Sequence, residues 1–326
     1  MSTGIPACDG EYMVITRAEA TSAGTSDDEL RRLVASGAYV KLLRGVYADA
    51  AEVAVGDEAR HRLRVLAMAR RSEYAASHVS AAVLHGLPVS GADLSEIHSV
   101  RLGVGGNRHA SGRQVHSGRV AAEWLTTVDG AAVTTVARTV VDMARTQPRI
   151  ASLVAADAAL HRRLCSPDDL TAAARSVTRH QGARRARAVV DLADGRSESP
   201  GETWTRMALS EALPQSELQI EVFDVFGDFV GRVDGGYPEL GVLWEYDGRG
   251  KYTGRYDPNI SAVDAVLAEK RRESRLTELG WIVIRIDAAD LRDPVRLRAR
   301  VTAALQRAQR TGIRPSGSYE LTPRWR

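Results

Sequence analysis

The stretch Val230-Gly231-Arg232-Val233-Asp234-Gly235-Gly236-Tyr237-Pro238, continued by Gly241-Val242-Leu243-Trp244-Glu245-Tyr246-Asp247-Gly248-Arg249-Gly250-Lys251, decides how the chain is read. Val230, Val233, Val242 and Leu243 favour a sheet, and Gly235-Gly236-Tyr237-Pro238 is turn chemistry, so two adjacent β-strands are expected. Gly241 to Trp244 is apolar enough to be a strand buried on both faces. It nevertheless runs straight into Glu245 and Asp247, which alternation places on one side. Asp234 lies eleven residues before Glu245, so a hairpin would bring the three acids to one place. Carboxylates buried beside an apolar strand are costly unless something pairs with them. A divalent cation is the commonest such partner. A solvated hairpin end, with three acids facing water, is the alternative.

At 326 residues the chain is long enough for two or three domains, and a hydrophobic fraction of 44% supports packed cores. No apolar run approaches a membrane span, and the N-terminus lacks the basic-then-apolar pattern of a signal peptide. Cys8 and Cys165 are too few for a disulfide framework or a structural zinc site. A cytoplasmic protein with no membrane association is expected. The net charge of +3 permits nucleic-acid binding through local patches without demanding it. The only lysines are Lys41, Lys251 and Lys270, which leaves 41 of the 44 basic residues as arginine. Two of the three lysines fall in the segment that carries the acids, where a group able to lose its proton is useful.

Working outward, Thr16-Arg17-Ala18-Glu19 and Ser26-Asp27-Asp28-Glu29 are capping boxes that open helices over 16–23 and 26–36. Tyr39 to Tyr47 predicts a two-stranded wing turning at Arg44-Gly45. Helix, turn, helix and β-wing is the order of a winged helix-turn-helix. Arg17, Arg31, Arg32, Lys41 and Arg44 are its candidate DNA-phosphate contacts. Asp27, Asp28 and Glu29 stand where a recognition helix would approach base edges, so a protein-docking module is the alternative. Helices at 57–72 and 77–85 precede short strands near 97–100, 114–116 and 124–126. His78, His85, His98, His109 and His116 invite a metal reading, but their spacings match no familiar ligand pattern and structural roles are expected. The cluster Gly103, Gly105, Gly106 lacks phosphate-loop spacing and reads as a hairpin loop. Helices follow at 135–146, 149–163, 167–178 and 181–193. Asp194 to Gly201 is polar and turn-rich, the clearest boundary in the chain. Beyond it come a helix bearing Glu202, strands at 217–224, 228–234 and 241–247, a helix over 261–279, the buried strand Trp281 to Ile286, a helix over 289–309 and a loose tail.

The C-terminal 130 residues resemble the PD-(D/E)XK nuclease superfamily, in the branch similar to very-short-patch-repair endonucleases. The resemblance rests on Glu202, Asp234, Glu245-Tyr246-Asp247-Gly248, Glu269-Lys270-Arg271-Arg272 and Gly280-Trp281-Ile282-Val283-Ile284-Arg285. Ile15-Thr16-Arg17-Ala18, Leu43-Arg44-Gly45-Val46-Tyr47 and the run from His78 to Pro88 resemble AbiEi-like antitoxins, DNA-binding autorepressors of type IV toxin–antitoxin systems. Together they imply a multi-domain α+β chain: a winged helix-turn-helix at 1–52, a middle antitoxin-like mixed α/β region at 53–195, a C-terminal restriction-endonuclease-like α/β domain at 196–310 and a flexible tail at 311–326. They further imply double-stranded DNA and a cognate toxin as partners. Mg²⁺ or Mn²⁺ would be held by Asp234, Glu245 and Asp247 with Glu202 in support. Asp247 stands where the nuclease pattern has lysine, so Lys251 or Lys270 would have to steady the developing charge. A non-enzymatic regulator with a degenerate nuclease domain is the alternative function.

Overall fold

A computed structural model of the protein describes residues 14–69, 73–102, 108–110, 112–116, 120–248, 262–312 and 314–324. Residues 1–13, the loop holding Gly103, Gly105 and Gly106, and the segment holding Arg249, Gly250 and Lys251 lie outside them. The chain is mixed α/β, with twelve α-helices and three sheets among the described residues. It forms two compact units. The first holds the chain up to Ala155 and Leu164–Leu192; the second holds Ala156–Arg163 and everything from Ala193 onward.

The first unit opens with β1 (Val14–Thr16), α1 (Arg17–Ser22), α2 (Asp27–Ala35), β2 (Tyr39–Leu43) and β3 (Val46–Asp49). The capping box at Thr16 forms in full: its Oγ1 accepts from the Glu19 amide at 3.2 Å, and the Glu19 carboxylate accepts from the Thr16 amide at 2.8 Å. The expected hairpin of β2 and β3 turns at Gly45, whose φ of 75° needs glycine. A strand not foreseen from sequence, β1, pairs with β3 to complete an antiparallel sheet ordered β1-β3-β2.

The same unit continues through α3 (Ala50–Ala54), α4 (Asp57–Ala69), β4 (Tyr74–Ala76), α5 (His78–Leu84), β5 (Ile97–Arg101), β6 (Arg108–Ala110), β7 (Arg113–His116), β8 (Leu125–Val128) and β9 (Ala131–Thr134). The six strands lie in the order β6-β7-β5-β4-β9-β8, with the β5/β7 and β4/β9 pairs parallel. Val14, Val46 and Ala48 share one core with Leu63, Met68, Ile97 and Val133. The division expected at 52/53 therefore cuts through a shared core: beside the small cluster of Ile15, Ala20 and Leu30, the hairpin packs on α4. The helices α6 (Val136–Thr146), α7 (Arg149–His161), α8 (Pro167–Ser176) and α9 (Ala183–Leu192) follow the sequence expectation closely.

The second unit contains α10 (Pro200–Ser210), β10 (Glu217–Phe223), β11 (Phe229–Tyr237), β12 (Val242–Tyr246), α11 (Ala262–Glu278), β13 (Ile282–Ile286), α12 (Pro294–Thr311) and β14 (Ser318–Leu321). Its sheet runs β13-β12-β11-β10-β14, and α11 is the crossover between the parallel strands β12 and β13. β12 is buried on both faces, as its sequence predicts. Val242 and Trp244 pack with Leu297, Val301 and Leu305 of α12, while Leu243 packs with Leu276 of α11 and Trp281. A Cβ on Gly235 would stand 2.4 Å from the Trp244 ring, so that glycine lets the indole lie flat on β11.

One expectation is corrected here. The tail at 311–326 is not loose: β14 pairs antiparallel with β10, Ile220 opposite Leu321 and Phe223 opposite Ser318. The polar stretch expected as a boundary begins where the second unit resumes, and Asp194, Arg196 and Ser197 within it are buried. Its charges satisfy one another, with Arg196 Nη2 donating to Asp194 Oδ2 at 2.9 Å and Nη1 donating to the Thr322 carbonyl at 3.2 Å. No helix among the described residues is long and apolar enough to cross a membrane.

Candidate functional site

The acids sit where three elements of the second unit converge. Glu202 is in the first turn of α10, Asp234 is on β11 and Glu245 is on β12. Gly201 makes the approach of α10 possible, because a Cβ there would fall 2.0 Å from the Tyr246 ring. The Tyr246 amide in turn donates to Asp234 Oδ2 at 2.7 Å, which ties the end of β12 to the carboxylate on β11.

Glu202 is 6% exposed and closely bonded. Its Oε2 accepts from the Glu198 amide at 2.9 Å and from Gln219 Nε2 at 3.0 Å, and its Oε1 accepts from the Ser199 hydroxyl at 2.7 Å. Burial, followed by the Asp234 charge beside it, pushes the Glu202 carboxyl up to about 7. Gln219 adopts a left-handed backbone, φ 52°, on β10, a position that its side chain shares with this cluster. Neither Gln219 nor the strain at that residue was legible from spacing.

Glu245, 4% exposed, is met by two arginines instead. Arg272 Nη1, from α11, donates to Glu245 Oε1 at 2.5 Å, and Arg285 Nη1, from β13, lies 3.1 Å from Oε2 as an ion pair. Both arginines also hold Glu269. Burial opposes ionisation of Glu269, but hydrogen bonds from Arg272 and Arg285 bring its carboxyl down to about 2. The result is a network of two acids and two arginines on the α11 side of the sheet.

The structure does not bring the expected trio together. Among the described residues no three carboxylates offer oxygens within 4.8 Å of one another. Asp247 follows the end of β12, where its amide donates to the Ile286 carbonyl at 2.7 Å. It lines a separate hollow with Arg285, Asp287, Asp290 and Arg300. Lys270 is exposed and shares a helix face with Glu273, Ser274 and Thr277, about 160° around α11 from Arg272 by helical geometry. Lys251 lies outside the described residues. Among the described residues arginine is thus the cation beside Glu245, a choice hidden in a chain where arginine is almost the only base.

In the first unit, Arg17, Arg31, Arg32, Lys41 and Arg44 are all exposed. Two of them are already engaged by the acids that open α2. Arg17 Nε donates to Asp27 Oδ1 at 2.7 Å, and Arg31 pairs with Asp28. Three of the five histidines singled out by sequence, His78, His98 and His116, converge on one spot.

Two proteins of Mycobacterium tuberculosis are similar to this chain: uncharacterized protein MT2308 of strain CDC 1551 / Oshkosh and uncharacterized protein Rv2248 of strain ATCC 25618 / H37Rv. Each is 31% identical over 281 residues, covering 86% of this chain and 97% of the relative. The chain belongs to their family. A match of that length runs through both units. No family model matches the chain.

Proposed function

We propose that the chain is a DNA-binding protein whose second unit cuts DNA phosphodiesters with the help of Mg²⁺ or Mn²⁺, its first helices and hairpin serving as a winged helix-turn-helix. The observation that carries this reading is the buried juxtaposition of Glu202 with Asp234, one strand away from Glu245. Two like charges are not gathered in a low-dielectric place without a purpose, and oxygen donors of this kind suit a hard cation. Burial and the Asp234 charge let Glu202 keep its proton up to about pH 7. The ligand set expected from sequence is thereby recentred: Glu202 and Asp234 lead, Glu245 joins from β12, and Asp247 stands apart.

When bound, the metal ion would polarise the scissile phosphate and acidify a water. The remaining roles fall to this chain's own residues. Glu202 holds or releases a proton at its carboxylate, with Ser199 and Gln219 fixing its orientation. Arg272 and Arg285 fix the Glu245 carboxylate in place, and their guanidinium groups are suited to a phosphate backbone.

A second reading, a non-enzymatic regulator of the antitoxin kind that uses the nuclease-like unit as a platform, draws on the same arginines. Glu245 neutralised by two of them is less free to take a metal. Nicking of supercoiled plasmid with Mg²⁺ or Mn²⁺ separates the two. The enzyme reading expects nicking that Asp234→Asn reduces at least tenfold. Equal backgrounds for wild type and variant would end it. The regulator reading expects salt-sensitive retention of the protein's own promoter DNA without metal, and no retention would end that one.

A further inference from the structure

Three histidines far apart in sequence meet inside the first unit. His98 on β5 and His116 on β7 lie on paired parallel strands, with Gln114 opposite His98 and His116 two residues further along the same face. His98 Nδ1 is 2.9 Å from His116 Nε2. His78, the first residue of α5, stacks on His116 with ring centroids 3.6 Å apart. One ring nitrogen of each residue lies within 4.8 Å of the others.

Ordinary core histidines are hydrogen-bonded through both nitrogens, as His61 is here through Leu94 and Ser80. His78 departs from that pattern twice. It is 1% exposed, yet its Nε2 has no hydrogen-bond partner. Its backbone is left-handed, φ 52°, a conformation that a bulky residue adopts only when its surroundings impose it. Ser77 Oγ lies 3.0 Å from the other ring nitrogen, Nδ1, the kind of outer partner that fixes the tautomer and ring of a ligating histidine.

We propose that His78, His98 and His116 form a three-imidazole site for a Zn²⁺-class transition-metal ion. Three nitrogens and no carboxylate select zinc, cobalt, nickel or copper over Mg²⁺ or Ca²⁺. Zinc–imidazole bonds of about 2.0–2.1 Å put tetrahedral ligand atoms roughly 3.3 Å apart. The nitrogens already lie within 4.8 Å of one another, and the stacked His78 and His116 rings, 16° apart in plane, splay for both lone pairs to meet one ion. His98 and His116 also line a cleft of about 850 Å³, which leaves room for a fourth, exchangeable ligand. Arginines near the site would oppose a dication, but Asp142 takes both of the nearest, Arg138 Nε at 2.8 Å and Arg145 Nη1 at 2.7 Å. Asp93 and Glu96 lie on the cleft wall beside Arg179 and Arg185.

The test uses the full chain, free of any histidine tag and stripped with a chelator, titrated with Co²⁺ and then competed with Zn²⁺. The site predicts one saturable equivalent, a visible ligand-field band that Zn²⁺ bleaches, and at least a tenfold loss of affinity in His116→Gln. His116 is only half-buried, so that variant is expected to keep the wild-type circular dichroism; His98→Gln repeats the measurement on the neighbouring strand. Absence of saturable binding overturns the proposal, as does unchanged affinity in folded His116→Gln. Neither result depends on whether the protein cuts DNA.

Discussion

Glu202 concentrates the physics of the site in one side chain. Its folded pKa of about 7 lies above the ordinary 4.5, so the native state keeps a proton that the unfolded chain has already lost between those values. Stability therefore falls as pH rises from about 4.5 to about 7, and the penalty stays in place above that range. Glu202→Gln keeps an acceptor for the Glu198 amide and Gln219 while removing the charge. It should raise stability at pH ~8 by up to about 3 kcal/mol and change little near pH ~4.5. Urea midpoints at the two pH values check this, and equal shifts at both would refute a titrating origin. Glu245 was legible in the sequence because an acid directly following a doubly buried strand contradicts its apolar pattern, and Asp234 because hairpin spacing sets it beside Glu245. Arg272, 27 residues beyond Glu245, was not. In a chain that uses arginine nearly everywhere, one more arginine on a helix carries no signal until the helix is laid on the sheet.

Among the elements, β14 shows what local pattern cannot supply. Ser318–Leu321 is four residues long and mostly exposed, so it has no apolar alternation to read. What makes it a strand is the open edge of β10, whose amides and carbonyls need partners. Gly317 enables the entry: its φ is 83°, and a Cβ there would lie 2.2 Å from the Phe223 carbonyl oxygen. Ending the chain after residue 314 would expose that edge and remove the Thr322 carbonyl from Arg196. The truncated protein should melt several degrees lower and aggregate near its transition, as light scattering during a thermal ramp would reveal; an unchanged melt would mean that β14 is a passive cover. Helices α6, α8 and α9 were legible because each is amphipathic over about three turns. The parallel β5/β7 pairing was not, since it depends on a crossover, and with it went the histidine grouping that no spacing rule anticipates.

At the scale of the molecule, the chain forms two compact units where the sequence suggests three domains and a tail, and each unit answers to its own measurement. If the first helices and hairpin hold DNA, affinity must fall with salt at about 0.9 per phosphate neutralised. Among the described residues no acid pairs with Arg32, Lys41 or Arg44, whereas Arg17 and Arg31 face Asp27 and Asp28. A log–log slope near about −3 is therefore expected. Arg44→Gln should reduce it by about 1, and Arg17→Gln should reduce it less; a slope untouched by Arg44→Gln would remove the hairpin from the interface. The arrangement of α7 sets a limit on dissection. Its C-terminal end, residues 156–161, belongs to the second unit, where Asp157 accepts from Thr203 at 2.8 Å, from Arg206 at 2.8 Å and from the Asp194 amide at 2.8 Å. A gene fragment begun at Ala193 would lack that carboxylate. The acid-bearing body thus cannot be inherited, swapped or expressed as a contiguous cassette without carrying a piece of helix stored forty residues upstream, which binds the fates of the two halves together in evolution as well as in the test tube.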